Sequence, residues 1–193
     1  KKPVKKQPSG MEVTYKTDVV VVGSGASGMA AAVRAQLNGL PTILIEKMPT
    51  LGGDTILNAG TLIATGSRYQ KEVMKETKDS PELAFKDIMK VGKNKNDPVL
   101  VNMVTHKVGG VVDWLIDDLK IPYGPAATQY PDHSAERQLG VTGRSPNFIK
   151  TMAAILTDHG GKILMETKAT KLIYKDHRVR GVEAVNAAGD EIK

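Results

Sequence analysis

The chain has 193 residues, 40% of them hydrophobic, which is enough to bury one sizeable core and a small second lobe. Its net charge of +6 lies mainly in residues 1–10, which carry four lysines and no acid, so a nucleic-acid partner is not expected. The absence of cysteine excludes a disulfide framework and a thiolate metal site, and the apolar run Val19–Val22 is far shorter than the roughly 20 residues of a membrane span.

The N-terminal segment differs in composition from the rest. Residues 1–16 are basic, contain two prolines and lack apolar periodicity, so they cannot offset the chain entropy lost on folding. We predict a flexible basic tail or linker over 1–16 and a single domain over residues 17–193.

The domain opens with a predicted strand–helix–strand unit. The valines of Val19–Val22 are typical of a strand buried on both faces. Small residues and good helix formers predict a helix over Ala26–Leu37, which ends at Asn38 and Gly39. Residues 42–46 form a second buried strand that ends in an acid. Such a crossover is right-handed and its two strands are parallel.

A helical insertion is predicted over about residues 67–120. Glycines in residues 51–66 suggest backbone that lies close to another group. Helices begin at Ser80-Pro81 and at Asp97-Pro98, where a capping residue precedes proline, and Gly109-Gly110 is expected to break or bend the second helix. The face predicted to be buried comprises apolar residues at helical spacing: Val101, Val104, Val108, Val111, Val112, Leu115 and Leu119.

The last third of the domain is predicted to contain a loop, a helix and strands. Residues 121–142 hold prolines and glycines with little periodicity, which indicates an extended loop. A helix follows from Ser145-Pro146 to about Asp158. Three strands then form a small antiparallel meander: residues 162–166, residues 169–175 and Arg178–Asn186.

The glycine-rich turn after the first strand carries the chemical signal. Gly23 permits the sharp turn, Gly25 allows backbone to approach a pyrophosphate, and Gly28 lets the helix pack on the strand. The pyrophosphate would meet free N–H groups from Ala26 to Gly28 at the positive end of the helix dipole. Glu46, at the end of the second strand, can accept both hydroxyls of an adenosine ribose and disfavours a 2′-phosphate.

Two alternatives accompany this motif. The glycines could merely form a tight turn, with Glu46 a solvated strand end, but the complete order of strand, turn, helix, strand and acid favours a dinucleotide. The fold alone does not choose between NAD and FAD, so an NAD-dependent dehydrogenase stays open at this point.

The residues after Glu46 carry a family resemblance. The stretch Lys47-Met48-Pro49-Thr50-Leu51-Gly52-Gly53-Asp54-Thr55, with Asn58-Ala59-Gly60 after it, resembles the fumarate reductase flavoproteins. That family includes flavocytochrome fumarate reductases, urocanate reductases and succinate dehydrogenase flavoprotein subunits. The resemblance implies the N-terminal part of such a protein, in the α/β class: an incomplete Rossmann-like FAD-binding domain of the glutathione-reductase type, with the helical insertion and the antiparallel meander.

The resemblance also assigns residues to FAD. Ser27 and Glu46 would contact the pyrophosphate and ribose, and the backbone of Ala169 would lie near the adenine. Four residues would lie near the isoalloxazine: Asp54, Thr55, Ala59 and Gly60. The complete implied set is Gly23, Gly25, Ala26, Ser27, Gly28, Glu46, Lys47, Gly53, Asp54, Thr55, Ala59, Gly60 and Ala169.

Asp54 indicates how the cofactor is held. In the membrane-bound succinate dehydrogenases of the family, a histidine at this place bonds covalently to the flavin. A carboxylate cannot replace it, so the resemblance implies non-covalent FAD. Asp54 would also suit an ordinary helix N-cap, and the two roles are compatible.

The implied activity is reduction of an activated carbon–carbon double bond, with fumarate converted to succinate. Related enzymes act on urocanate, aspartate and ketosteroids, and a non-catalytic FAD-binding module is the alternative from another class. Arg137 and Arg144 could bind a dicarboxylate substrate, although an exposed loop arginine is more often solvated. In the family the catalytic groups lie beyond the segment matched here, so we expect this chain alone to be inactive. A missing C-terminal segment or a second chain should supply a strand beside the first one.

Overall fold

The computed structural model describes residues 10–124 and 128–193 of the chain. The chain divides into two compact units. The first comprises Lys1–Leu57 and Ile149–Lys193, and the second comprises Asn58–Phe148. The predicted helical segment, residues 67–120, lies within the second unit.

A three-stranded parallel sheet forms the centre of the first unit. Strand β2 (Val19–Val22) pairs with β3 (Thr42–Ile45), and β3 pairs with β7 (Lys162–Leu164), in the order β2-β3-β7. Helix α1 (Ala26–Leu37) connects β2 to β3, which confirms the predicted parallel crossover. Burial on both faces holds for β3, whose four residues are all buried, but not for β2, where Val22 is 56% exposed.

A second sheet of the first unit has the order β1-β10-β9-β8. Its strands are β1 (Glu12–Val13), β8 (Thr167–Lys175), β9 (Arg178–Asn186) and β10 (Glu191–Ile192). The β8–β9 hairpin turns at Asp176 and His177, and both residues have positive φ.

Two sequence-based expectations about these strands are wrong. Strand β7 belongs to the parallel sheet, not to the antiparallel meander, because its backbone pairs with β3. Residues 12–13, which we predicted as part of a flexible tail, form β1 and pair with β10. Residues 1–9 of that tail lie outside the described residues.

An apolar cluster joins the two sheets of the first unit. Its buried members are Ile43 and Ile45 from β3, Ala184 from β9 and Ile192 from β10. The partly buried residues packed against it are Val13, Tyr15, Val20, Leu164 and Val182. Burial of these side chains supplies the main favourable free energy that holds the sheets together.

The second unit combines helices with a three-stranded antiparallel sheet. The helices are α2 (Arg68–Glu72), α3 (Pro81–Val91) and α4 (Pro98–Asp113), which continues into a π-helical turn over Trp114–Asp118. The sheet has the order β4-β6-β5, with β4 (Thr61–Ile63), β5 (Thr128–Gln129) and β6 (Glu136–Gly140). Helix α5 (Arg144–Asp158) begins in this unit and ends in the first.

Local capping signals set the helix starts correctly. The Ser80 hydroxyl accepts the Leu83 N–H at the start of α3, and the Asp97 carboxylate accepts the N–H groups of Val99 and Leu100 at the start of α4. These bonds satisfy backbone donors that have no partner within the helix. Both helix starts agree with the sequence prediction.

Non-local packing overrides other predictions for the second unit. Gly109 and Gly110 do not break α4, since a Cβ on Gly109 would lie only 2.6 Å from the Gly66 carbonyl carbon, so Gly109 serves close packing. Val104 and Val111, predicted to be buried, are 44% and 47% exposed. The predicted loop over residues 121–142 contains β5 and β6.

One stretch meets the length and composition of a membrane span. It is the 21-residue helical segment Pro98–Asp118. A core helix of a globular unit meets the same criteria, and Val112 of this segment is fully buried beside Ala64 and Leu139. The expected absence of a membrane span therefore remains a prediction.

Candidate functional site

The glycine-rich turn after β2 requires glycine at two positions for different reasons. Gly23 has φ +99°, a conformation that side chains disfavour, and its N–H donates to the Ile45 carbonyl at 2.8 Å. A Cβ on Gly28 would lie 1.9 Å from the Gly23 carbonyl oxygen. The turn therefore brings α1 into direct contact with the end of β2.

The N-terminus of α1 carries no side-chain cap from its N-cap residue, Gly25. Unpaired N–H groups and the helix dipole make such an end attractive to an anion. Ser27 is exposed there. The Ala26 N–H is not free as predicted, because it donates to the Thr55 hydroxyl at 2.9 Å. Thr55 thus closes the turn here, and its predicted place near an isoalloxazine remains a prediction.

Glu46 is a buried carboxylate with three hydrogen-bond donors. It is 5% exposed, and its Oε2 accepts both the Ser24 N–H, at 3.0 Å, and the Ser24 hydroxyl. Its Oε1 accepts the Met48 N–H at 2.8 Å. Burial raises the pKa of Glu46, but these bonds outweigh burial and the pKa lies below its usual value. The side chain is therefore ionised at neutral pH.

The number of donors limits what Glu46 can bind. Each carboxylate oxygen offers about two acceptor positions. Both positions on Oε2 are used by Ser24, and one on Oε1 is used by Met48. One position on Oε1 is left, so we expect Glu46 to accept one ribose hydroxyl in this arrangement, where the sequence suggested two.

A cavity of about 800 Å³ lies beside the turn and Glu46, within the first unit. Binding sites for small molecules commonly have volumes of roughly 300–1,000 Å³. Seven residues predicted from the sequence line it: Gly23, Gly25, Glu46, Lys47, Gly53, Asp54 and Ala169. Asp54 belongs to the first turn of a 3-10 helix over Gly53–Leu57.

Several lining residues were missed by the sequence analysis: Val22, Ser24, Ile45, Met48, Thr50, Ile56, Leu57, Thr167 and Lys168. No spacing rule points to Ser24, because its role depends on the orientation of a hydroxyl between two turn glycines. Ala26, Ser27, Gly28 and Thr55 are not among the lining residues, and their predicted contacts remain predictions.

Main-chain bonds bring the start of β8 to the same cavity. The Glu46 N–H donates to the Leu164 carbonyl at 2.9 Å, and the Thr167 N–H donates to the Glu46 carbonyl at 2.8 Å. Two residues further on, Ala169 pairs with Ala184 of β9 and lines the cavity. The position implied by the resemblance therefore coincides with the cavity.

Ala59 and Gly60 belong to the second unit. Gly60 has φ +81°, and a Cβ on it would lie 2.7 Å from the Ser145 nitrogen. Its carbonyl accepts the Val141 N–H at 2.8 Å. Glycine is needed here for the packing of the second unit, and a contact of either residue with a cofactor remains a prediction.

Arg137 is not the exposed loop arginine that we predicted. It lies in β6, is fully buried and forms ion pairs of 2.6 Å with both Asp79 and Asp87. Burial and the Arg137 charge lower the pKa of His133, whose Nδ1 lies 2.8 Å from Arg137 Nη1. The Arg137 Nε donates to Asp79 Oδ2 at 3.2 Å, so all three guanidinium nitrogens are engaged within the second unit. Arg144, by contrast, is exposed at the start of α5.

The described residues offer no cluster of three or more histidine, aspartate or glutamate side chains that could hold a metal ion.

Comparisons with known proteins identify the cofactor. A family model described as an FAD binding domain matches residues 18–193. The fumarate reductase (cytochrome) of Shewanella frigidimarina is 48% identical over 172 residues, which is 86% of this chain and 29% of that protein. The urocanate reductase of Eggerthella lenta is 33% identical over 193 residues, or 98% of this chain and 31% of that protein. Among solved structures, the open conformation of a flavocytochrome c3 fumarate reductase has a TM-score of 0.79 at 28% identity, covering 96% of this chain and 32% of that chain.

The chain thus spans between 29% and 32% of the length of these proteins. The site fits the cofactor that the family model names. The N-terminus of α1, whose N-cap residue Gly25 provides no side-chain cap, suits the pyrophosphate, and the ionised Glu46 beside an 800 Å³ cavity suits the adenosine ribose. The chain therefore belongs to the FAD binding domain family of flavoproteins, and a fumarate reductase and a urocanate reductase are among its relatives.

Proposed function

We propose that this chain is the FAD-binding part of an oxidoreductase that reduces fumarate to succinate. The observation that carries the proposal is the 48% identity to a fumarate reductase over 172 residues. When bound, FAD supplies the redox chemistry: a hydride is delivered to one carbon of the double bond, and a proton on the other carbon completes succinate.

The chain's own residues bind FAD and orient it. The remaining acceptor position of Glu46 Oε1 holds one ribose hydroxyl, and the N-terminus of α1 stabilises the pyrophosphate charge. The turn that carries Asp54 forms another wall of the same cavity. Precise placement of the flavin relative to a substrate is a major part of catalysis by such enzymes.

The chain by itself is not expected to reduce fumarate. A dicarboxylate needs cationic groups for both carboxylates and a proton donor near the reacting carbon. Arg137 cannot serve, because its guanidinium is fully buried and each of its three nitrogens is bonded to Asp79, Asp87 or His133. Segments outside this sequence supply these groups, in keeping with the 29% of the relative's length that the chain spans.

A further strand is expected beside β2. Among the described residues β2 pairs with β3 alone, so its other edge has unpaired backbone groups. Val22, at the end of this strand, is 56% exposed. A strand from the rest of the polypeptide or from a second chain would satisfy that edge. Amides on this edge should exchange with solvent faster in this chain than in a longer protein.

Two measurements test the proposal. Titration of the purified chain with FAD should produce bound flavin, seen in the visible spectrum. With a reduced dye as the electron donor, the same chain should not reduce fumarate. A chain extended by the segments that its relatives possess should reduce fumarate. Turnover of fumarate by the 193-residue chain would overturn the proposal that this chain binds FAD while other segments supply the groups that act on the substrate. If the extended chain binds FAD but reduces urocanate instead, the substrate is wrong; if it reduces neither, a non-catalytic FAD-binding module is favoured.

A further inference from the structure

Ser24 occupies a distinctive place in the glycine-rich turn. It lies between Gly23 and Gly25 and is fully buried. Its N–H and its hydroxyl both donate to Glu46 Oε2, while its Oγ accepts the Gly52 N–H at 2.8 Å. One small side chain therefore connects three separate segments of the first unit.

We propose that Ser24 is a positioning residue for FAD, whose hydroxyl orients Glu46 so that Oε1 meets the adenosine ribose. The proposal rests on the assignment of Glu46 to the ribose, and it extends that assignment to the residue that orients Glu46. Ser24 acts through Glu46.

The hydrogen bonds explain how one hydroxyl orients a carboxylate. Without the hydroxyl, one acceptor position of Oε2 would be unfilled, and the carboxylate would be held only by the N–H groups of Ser24 and Met48. With the hydroxyl present, Oε2 is saturated and Oε1, held by the Met48 N–H at 2.8 Å, keeps its open position. The open position belongs to the oxygen that Ser24 does not use.

The bond from Gly52 connects this orientation to the other end of the site. Gly52 has φ +107° and is buried, and it directly precedes the 3-10 helix that carries Asp54. Because the Ser24 Oγ accepts the Gly52 N–H, the ribose-binding acid and the Asp54 turn are held by the same hydroxyl. A residue here must donate and accept in a fully buried position: alanine does neither, and threonine adds a methyl group to a filled space.

The test is a double-mutant cycle with FAD affinity as the readout. Ser24→Ala should weaken FAD about tenfold, since it loses one hydrogen bond to a charged group. In a Glu46→Ala background the same substitution should weaken FAD binding by clearly less, because only the bond from the Gly52 N–H to the Ser24 Oγ is then left to lose. An equal loss in both backgrounds would overturn the proposal.

Ser67→Ala is a matched control in the second unit. Ser67 is also fully buried, its hydroxyl donates to the Ala64 carbonyl at 2.6 Å, and its Oγ accepts the Gln70 N–H at 3.0 Å. Its loss should lower stability without changing FAD affinity. A weakening of FAD binding equal to that of Ser24→Ala would indicate a general effect of destabilisation and would contradict the proposal.

The dependence of FAD affinity on pH distinguishes a positioning role of Ser24 from a purely structural one. FAD affinity should fall on the acid side as Glu46 becomes protonated. Burial opposes ionisation, and the Ser24 hydroxyl is one of the bonds that lower the pKa of Glu46, so the fall should begin at a higher pH in Ser24→Ala. An unchanged profile would contradict the proposal. If Ser24→Ala does not fold, Ser24→Cys, with a weaker donor of similar shape, carries the same test and should show an intermediate affinity.

If the assignment of FAD itself is wrong, the experiments give a different result from the one that refutes the role of Ser24. In that case the unmodified chain would not bind FAD at all. Binding by the unmodified chain, with no effect of Ser24→Ala, would refute the positioning role alone.

Discussion

Gly28→Ala is the substitution that tests the glycine-rich turn most directly. The new Cβ would lie 1.9 Å from the Gly23 carbonyl oxygen, whereas real Cβ contacts essentially never fall under 3.0 Å. The obstacle is backbone, and Gly23 is itself anchored by its N–H bond to Ile45. Relief therefore requires α1 to move away from β2, although α1 is held by its buried residues Met29 and Val33.

The expected magnitude follows from three contributions. Overpacking costs about 1–3 kcal/mol. Loss or distortion of the Gly23–Ile45 bond adds about 1 kcal/mol. The better helix propensity of alanine offsets at most about 1 kcal/mol of this. We expect the free energy of unfolding of the first unit to fall by about 1–4 kcal/mol, and FAD to bind more weakly because the N-terminus of α1 is displaced.

Gly110→Ala is the matched control for this prediction. Gly110 also lies within a helix, α4, but a Cβ there meets nothing within 4 Å. The same substitution should stabilise the second unit by about 0.5–1 kcal/mol. Urea denaturation followed by far-UV circular dichroism reports both units, and the fluorescence of Trp114, the single tryptophan, reports the second. If Gly28→Ala matches the unmodified chain in both urea midpoint and FAD affinity, close contact between α1 and Gly23 is not required.

Three further predictions concern single side chains. Glu46→Ala should weaken FAD by roughly ten- to a hundredfold, and Glu46→Gln by less, because an amide oxygen still accepts; a titration that found both unchanged would refute the ribose role. Acid precipitation should release the yellow colour, since Asp54 cannot bond covalently to flavin, and colour retained in the pellet would contradict non-covalent binding. Burial raises the pKa of Asp87, but bonds from Ser134 and Arg137 outweigh it and the pKa lies below its usual value. Its contribution to stability is thus complete above about pH 4 and is lost as the pH falls through the lowered pKa. Asp87→Asn should cost about 3–5 kcal/mol at neutral pH and flatten the acid side of the stability profile, measured by urea denaturation.

Local signals in the sequence were sufficient for several elements of both units. The bounds of β2 and α1 agree with the prediction, and the caps at Ser80 and Asp97 form as expected. These features depend on neighbours within a few residues, so propensity and capping chemistry determine them. The glycine spacing also predicted close packing of the helix on the strand. Gly28 provides it, because it lies directly against the Gly23 carbonyl oxygen.

The tertiary structure decided every feature that depends on a distant partner. Strand β7 joins the parallel sheet because its backbone meets β3, more than a hundred residues earlier in the chain. Arg137 is buried because Asp79 and Asp87 are there to pair with it. Ser24 orients Glu46 because the turn directs its hydroxyl inward. In each case the energy comes from a contact across the fold, and periodicity or spacing along the chain carries no information about which partner a polar or backbone group will find.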